Sequence, residues 1–309
     1  SGHPALKAVS PQAPVTDWFI GDDVHHNGAF FMMDCFDFDY QFGPPRPKPT
    51  TVDAKEFKYP TPDNYDFFLR EGTLKNITKK YMGDTMKFWN ETMNHPNRDE
   101  FWKAHTVTYH LNNIKPAMLI TGGLFDAEDL WGTWNTYKII EKQSPTTNNK
   151  ICVGPWFHGG WARVDGSHLS NVQFGSKTSD WYYQNVELPF FNHYLKPQTV
   201  SIDGKPYSSE LKLSEATVFF TGENSWKQFT EWPPKNVEAK PIYLSEKNAL
   251  SFTKPVSLFG SDEYVSDPAK PVPYTEDVHI SRTREYMSDD QRFASWRTDV
   301  VTYQTDILK

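Results

Sequence analysis

Residues 116–140, PAMLITGGLFDAEDLWGTWNTYKII, decide how this chain folds. An apolar run from Ala117 to Thr121 closes on Gly122 and Gly123. Three carboxylates follow, Asp126, Glu128 and Asp129, and then Leu130, Trp134 and Tyr137 recur at helical spacing. A continuous apolar run suits a strand buried on both faces, and the spacing behind it suits a helix packed on one side. Lys150–Trp161, KICVGPWFHGGW, repeats the opening as a short apolar strand and a Gly/Pro loop. TSDWYYQNVELPFFNHYLK (178–196) then reads as a helix whose proline, Pro189, either kinks it or starts a second one. Strand–helix–strand–helix at this spacing predicts an α/β fold, a parallel sheet with covering helices. In such sheets functional side chains gather in the loops after the carboxyl ends of the strands, where both Asp126 and His158 fall.

Outward from this centre the texture changes. Toward the N-terminus, Ala5–Val9 predicts a buried strand with no leader before it, so further residues are expected upstream. An aromatic, Gly/Asp-rich stretch, WFIGDDVHHNGAFFMMDCFDFD, follows it, and then a proline-rich bridge, FGPPRPKPTTVDAKEFKYPTP, that can continue neither a helix nor a central strand. From Asp63 to about His110 the spacing is helical, with Thr73 and Asp99 as N-caps. Beyond Lys196 come short alternating strands broken by Gly, Pro and Asn, the pattern of a β-sandwich or jelly roll. The expected division is a core over 1–45 and 112–200, a helical insertion over 46–111 and an all-β domain over 201–309.

Composition narrows the chemistry. Aromatics make up 16% of the 309 residues, ample for a packed core, so disorder is not expected. The net charge of −7, without a basic run, argues against nucleic acid as a partner. No apolar segment approaches the roughly 20 residues of a membrane helix, so no membrane partner is expected either. Cys35 and Cys152 form neither a disulfide framework nor a zinc spacing, and no cofactor or resident metal is expected.

An acid at one strand end and a histidine at the next, 32 residues later, match the acid-then-histidine order of α/β-hydrolases. There the carboxylate fixes the imidazole tautomer and the imidazole moves the proton. A turn aspartate and a surface histidine would look the same. Such a pair needs a nucleophile, yet no serine stands in a G-x-S-x-G elbow: Ser167, Ser176 and Ser261 lack the second glycine and follow Asp126. Cys35 has no elbow glycines, and the acids beside it disfavour a thiolate.

HPALKAVSPQAPVTDWFIGDDVHHNGAF, GGLFDAEDLWG, GPWFHGGW, YVSDPAKPVP and REYMSDDQRFASWRTDVVTY, in that order, closely resemble the CocE/NonD hydrolases. Within them the resemblance is to the α-amino acid ester hydrolases, relatives of glutaryl acylases and X-Pro dipeptidyl peptidases. It implies a partial α/β-hydrolase core, a helical cap at 46–111 and a partial C-terminal jelly roll. It implies Asp126 as the triad acid and His158 as the triad histidine. Their serine and both oxyanion donors would lie upstream of Ser1, and this chain alone is then expected to be inactive. It further implies that Glu128 and Asp129 join Asp23, rather than Asp22, in a carboxylate cluster that binds the α-ammonium of a small-molecule amino acid ester or amide.

The physical logic of that cluster is direct. An α-amino group is mostly charged at neutral pH, and crowded carboxylates should raise at least one pKa until a cation relieves them. Glu128 and Asp129 also suit the positive end of a helix dipole, and clustered carboxylates suit a hard cation. The competing expectations are an X-Pro dipeptidyl peptidase or glutaryl acylase activity, or a non-catalytic binding protein with a degenerate hydrolase core. A homo-oligomer and a periplasmic or secreted location are compatible with the family, and a cytoplasmic one is too. Of His25 and His26, at most one points inward. His95, His105, His110, His168, His193 and His279 show no partner spacing and read as structural. Trp131, Trp156 and Trp161 read as packing, with an aromatic wall for the substrate as the alternative.

Overall fold

The computed structural model describes residues 2–196, 201–202, 205–206, 211–256 and 260–308. Its centre is a five-stranded sheet in the order β1 (Ala8–Val9), β2 (Ala117–Gly123), β3 (Asn149–Gly154), β4 (Ala216–Phe220) and β5 (Ser225–Phe229). The first four strands are parallel, and β5 returns antiparallel to β4. β2 and β3 pair from Met118↔Asn149 to Gly123↔Gly154, so their carboxyl ends finish level. The helices in chain order are α1 (Met32–Phe42), α2 (Asn64–Glu71), α3 (Leu74–Ile77), α4 (Lys87–Asn94), α5 (Glu100–His105), α6 (Leu130–Gln143), α7 (Gly160–Arg163), α8 (Thr178–Tyr182), α9 (Leu188–Leu195) and α10 (Arg292–Ser295).

Every residue of β2 is buried, as its unbroken apolar run demands. The two-residue period of the strands sorts their side chains onto two faces. Leu119 and Cys152 join Ala8, Trp156, Tyr182, Val186 and Phe190 on one, beneath the α8–α9 stretch. Met118, Ile120, Ile151 and Val153 meet Tyr137 and Ile140 of α6 on the other. Pro189 does not break the chain direction. A π-turn at Tyr183–Glu187 carries α8 into α9, whose first turn holds the proline. The wider turn relieves the clash between a proline ring and the carbonyl four residues earlier.

Contacts divide the chain into two compact units, Ser1–Lys58 with Gly72–Trp232, and Tyr59–Glu71 with Pro233–Lys309. Two expected boundaries move. The helices foreseen as one insertion separate: α3, α4 and α5 belong with the sheet, and α2 belongs with the C-terminal residues. There Tyr65 Oη donates to the Pro271 carbonyl at 2.7 Å and Asn64 N–H to the His279 carbonyl at 2.8 Å. Residues 216–229, expected to lie within the all-β domain over 201–309, instead extend the core sheet as β4 and β5. The half-exposed alternation in β5 reflects an edge strand, and β4, buried at Ala216–Phe219, fills the place beside β3. Among the described residues of the second unit, the paired strands are the hairpin Tyr243–Ser245 with Ala249–Ser251, bridged to Gln304.

One helix the sequence reading passed over is α1. It has no side-chain N-cap, and its eleven residues mix acids with aromatics. A hairpin precedes it, His25–His26 with Ala29–Phe30, turned by Asn27 and Gly28 at φ 52° and 87°. Asn-Gly suits a two-residue turn in which both central residues have positive φ.

A different constraint governs Gly132 in α6. A Cβ there would stand 1.9 Å from the Pro14 carbonyl oxygen and 2.7 Å from the Asp22 carboxylate. Gly132→Ala should therefore destabilise the protein by about 3 kcal/mol in urea unfolding. Gly28→Ala, whose Cβ meets nothing within 4 Å but keeps a positive φ, should cost only about 1 kcal/mol.

Candidate active site

Two loops leave the carboxyl ends of β2 and β3 locked together. Leu124 N–H donates to Gly154 O at 2.8 Å and Phe125 N–H to Trp156 O at 3.0 Å, so strand-like pairing continues past both strands. The glycines make this approach feasible: a Cβ on Gly123 would lie 2.1 Å from the Trp156 carbonyl oxygen, and one on Gly122 would lie 2.3 Å from Thr133 Oγ1. Asp126 and His158 emerge side by side as a result. His158 Nδ1 is 3.1 Å and 3.3 Å from the two Asp126 carboxylate oxygens. The Asp126 side chain is fully buried, and Oδ1 accepts the N–H groups of Glu128 and Asp129 at 2.9 and 3.0 Å. Those two bonds curl the chain into the start of α6 and bring the next acids to the same imidazole. Glu128 Oε2 and Asp129 Oδ2 each lie 3.6 Å from His158 Nδ1.

The 12–24 loop is tied in beside these acids. Ala13 N–H donates to Thr121 O, and Thr121 N–H to Pro11 O, which sets the loop across the end of β2. Asp22 then accepts three backbone N–H groups: Thr16 at 2.8 Å, Asp17 at 3.0 Å and Gly132 of α6 at 2.6 Å. Burial still pushes its carboxyl up to about 6, against the pull of these bonds. Asp17 is also buried. Its Oδ1 accepts from Phe19 and Ile20 N–H, and its Oδ2 pairs with Arg98 at 2.9 Å, a tie to the segment between α4 and α5. Thr106 Oγ1, just past α5, donates to the Thr16 carbonyl at 2.7 Å. Asp22 is thus committed to backbone. Asp23, held at φ 42°, interacts electrostatically with Glu128, His158, Asp126 and Asp34 instead.

The electrostatics follow from burial and crowding. Asp129 is pushed up to about 10, first by desolvation and then by Asp23, Asp126, Asp22 and Glu128. Asp23 rises to about 6 for the same leading reason, opposed by His158. His158 moves up because it donates to Asp126, and the other acids add to that attraction. The pocket thus carries surplus negative charge, with a protonated Asp129 and no basic side chain except the imidazole among the groups that shift these acids.

Other candidates settle elsewhere. His25 is buried among Phe19, Trp102 and Phe30, while His26 is half-buried against Phe31, so adjacent residues do face opposite ways. Trp156 and Trp161 donate to Thr178 Oγ1 and Gln12 Oε1 as part of the core, and Trp131 covers Gly21. His95 does have a partner: its Nδ1 lies 2.6 Å from Asp99 Oδ2, an i,i+4 spacing that the sequence reading passed over. Neither the Asp22 ties nor the Arg98–Asp17 pair has a sequence signal, because their partners are backbone groups or lie far away in sequence.

Residues 1–160 match the X-Pro dipeptidyl-peptidase family S15. The chain is 25% identical over 228 residues to the cocaine esterase of Rhodococcus sp. (strain MB1 Bresler), covering 71% of this chain and 37% of that protein. It superposes on the crystal structure of an aminopeptidase from a marine sediment Thaumarchaeota archaeon with a TM-score of 0.85 at 33% identity, covering 99% of this chain and 49% of the other. A selenomethionine-labelled α-amino acid ester hydrolase gives a TM-score of 0.85 at 30% identity, covering 98% and 49%. The chain therefore spans about half the length of these solved relatives.

The pairing of His158 has a measurable signature. Its pKa in the folded state lies above the ordinary 6.5, so the stabilisation it lends is complete below about 6.5 and fades as pH rises through the shifted value. Asp126→Asn should move the imidazole titration midpoint, followed by NMR of labelled histidine, to lower pH. An unchanged midpoint would show that the contact carries no charge coupling.

Proposed function

Since this chain belongs to the X-Pro dipeptidyl-peptidase (S15) family, we propose that it serves a serine hydrolase acting on esters or amides of α-amino acids. The observation that carries this reading is His158 Nδ1 at 3.1 Å from a fully buried Asp126, with Glu128 and Asp129 both 3.6 Å away. Asp126 holds the proton on Nδ1 and leaves Nε2 to take a proton from a nucleophile and return it to the leaving group. No serine of residues 1–309 stands in a nucleophile elbow, and we assign that role to a residue outside them. The Asp126–His158 contact favours an enzyme over a binding protein with a degenerate core, since the pair is already within hydrogen-bond reach.

Asp23, Glu128 and Asp129 would take the substrate ammonium, neutralising a site that is otherwise strained by its own charge. The same charge repels a glutaryl carboxylate, which disfavours the acylase reading. Distance favours a single aminoacyl group over a dipeptide. In an α-amino ester the nitrogen is two bonds from the reacting carbonyl, whereas an N-terminal dipeptide puts it about 3.8 Å further along the chain. Acids that touch the triad histidine suit the shorter arrangement. For the second unit we keep the partial jelly roll, supported by the Tyr243–Ser251 hairpin and its Gln304 bridge.

In the full-length protein, Glu128→Gln and Asp23→Asn should each lower kcat/KM for an α-amino ester by about 10- to 100-fold, equivalent to about 1.4–2.7 kcal/mol. The des-amino analogue should lose less than about threefold. Equal losses on both substrates would refute the ammonium role.

A further inference from the structure

We propose that Glu128, Asp129 and His158 form a Zn²⁺ site, and that filling it switches the neighbouring Asp126–His158 pair off. One ligand atom from each of the three residues lies within 4.8 Å of the other two, and two separations, Nδ1 to Oε2 and Nδ1 to Oδ2, are 3.6 Å. Tetrahedral zinc with bonds of about 2.0–2.1 Å separates its ligands by about 3.4 Å, so the two separations from Nδ1 need only a few tenths of an ångström, and the carboxylates draw together from within 4.8 Å. Three protein ligands with a fourth position open to solvent fit the exposure of His158. The mixture of one imidazole and two carboxylates selects zinc over calcium or magnesium, which prefer oxygen donors alone.

An independent observation points to a missing ligand. Asp129 is 2% exposed, and its Oδ1 is buried without a hydrogen-bond partner, while Oδ2 faces the imidazole beyond hydrogen-bond range. A buried carboxyl oxygen left without a partner is costly, and a bound ion is one of the few things that accounts for it. Asp126 keeps its own backbone bonds from Glu128 and Asp129, so the loop that presents the ligands is formed before any ion arrives.

The consequence for chemistry is a choice of tautomer. The triad needs a proton on Nδ1, directed at Asp126, and a free lone pair on Nε2. Zinc on Nδ1 takes the lone pair there, the proton moves through solvent to Nε2, and Asp129 releases its own proton to solvent as it becomes a ligand. The imidazole can then no longer accept a proton from a nucleophile. The metal also neutralises the charge that a substrate ammonium would meet, so metal and substrate exclude one another. That last step rests on the function proposed above; metal binding itself does not.

Isothermal titration of the purified protein with ZnCl₂ should give one site with Kd below about 10 µM. Co²⁺ in its place should show the intense visible absorption of a four-coordinate ion. Glu128→Gln, Asp129→Asn and His158→Gln should each weaken binding at least tenfold, with circular dichroism to confirm folding. Asp126→Asn, which removes the competitor for Nδ1, should bind at least as tightly as the parent. Absence of a site, or binding unchanged by all three ligand substitutions, would overturn the proposal. In the full-length protein Zn²⁺ should inhibit α-amino ester hydrolysis competitively, and a chelator should reverse the inhibition. Hydrolysis unaffected by bound zinc would overturn the switch. Zinc binding in a protein that hydrolyses no such ester would instead count against the proposed function.

Discussion

The carboxylate of Asp22 is the tie on which the arrangement of the site depends. It is buried, it accepts backbone N–H groups from Thr16, Asp17 and Gly132, and it thereby joins the 12–24 loop to the first turn of α6. A buried anion is tolerated only when donors surround it, and three main-chain donors meet that requirement. Two consequences follow from one group. The next residue, Asp23, is fixed in a left-handed conformation beside the pocket, and α6 is fixed with Glu128 and Asp129 at its beginning. Arg98 and Thr106 extend the same frame to the neighbourhood of α5 by way of Asp17 and Thr16.

Held this way, the acids cannot relax from one another. A surface cluster of carboxylates would spread into solvent, but here Asp129 is buried and Asp23 is held at a positive φ. Desolvation and mutual repulsion then raise both carboxyls, Asp23 to about 6 and Asp129 to about 10. Crowding of this kind is relieved by a positive charge, which is the basis of the ammonium role proposed above.

Much of the frame was legible because it obeys simple periodicities. The buried run of β2, the glycines behind it and the apolar face of α6 are all written in one stretch of sequence, and the two site loops come with them. Three features were not legible, each for a physical reason. α1 lacks a cap and carries acids among its aromatics, so neither end nor face announces it. β4 and β5 alternate like strands of a sandwich, and only the neighbour they pair with reveals that they finish the core sheet. Asp22 and Asp23 are chemically identical in a sequence, and what separates them is which one the backbone surrounds. The resemblance to a family favours Asp23; in the structure Asp22 is surrounded by backbone donors, and Asp23 interacts with Glu128, His158, Asp126 and Asp34.

The frame around the site is made almost entirely of main chain and absent side chains. Gly21, Gly122, Gly123 and Gly132 each stand where any Cβ would collide with a neighbour, and the bonds that align the loops run between backbone groups or to Asp22. The reagents, by contrast, are side chains projecting from this frame. Scaffold and chemistry are therefore separately heritable. A lineage carrying these glycines could trade Glu128 or Asp129 for a neutral residue and change the charge of the site without disturbing its frame, whereas a side chain at any of the glycines would displace the loops that hold all of these groups.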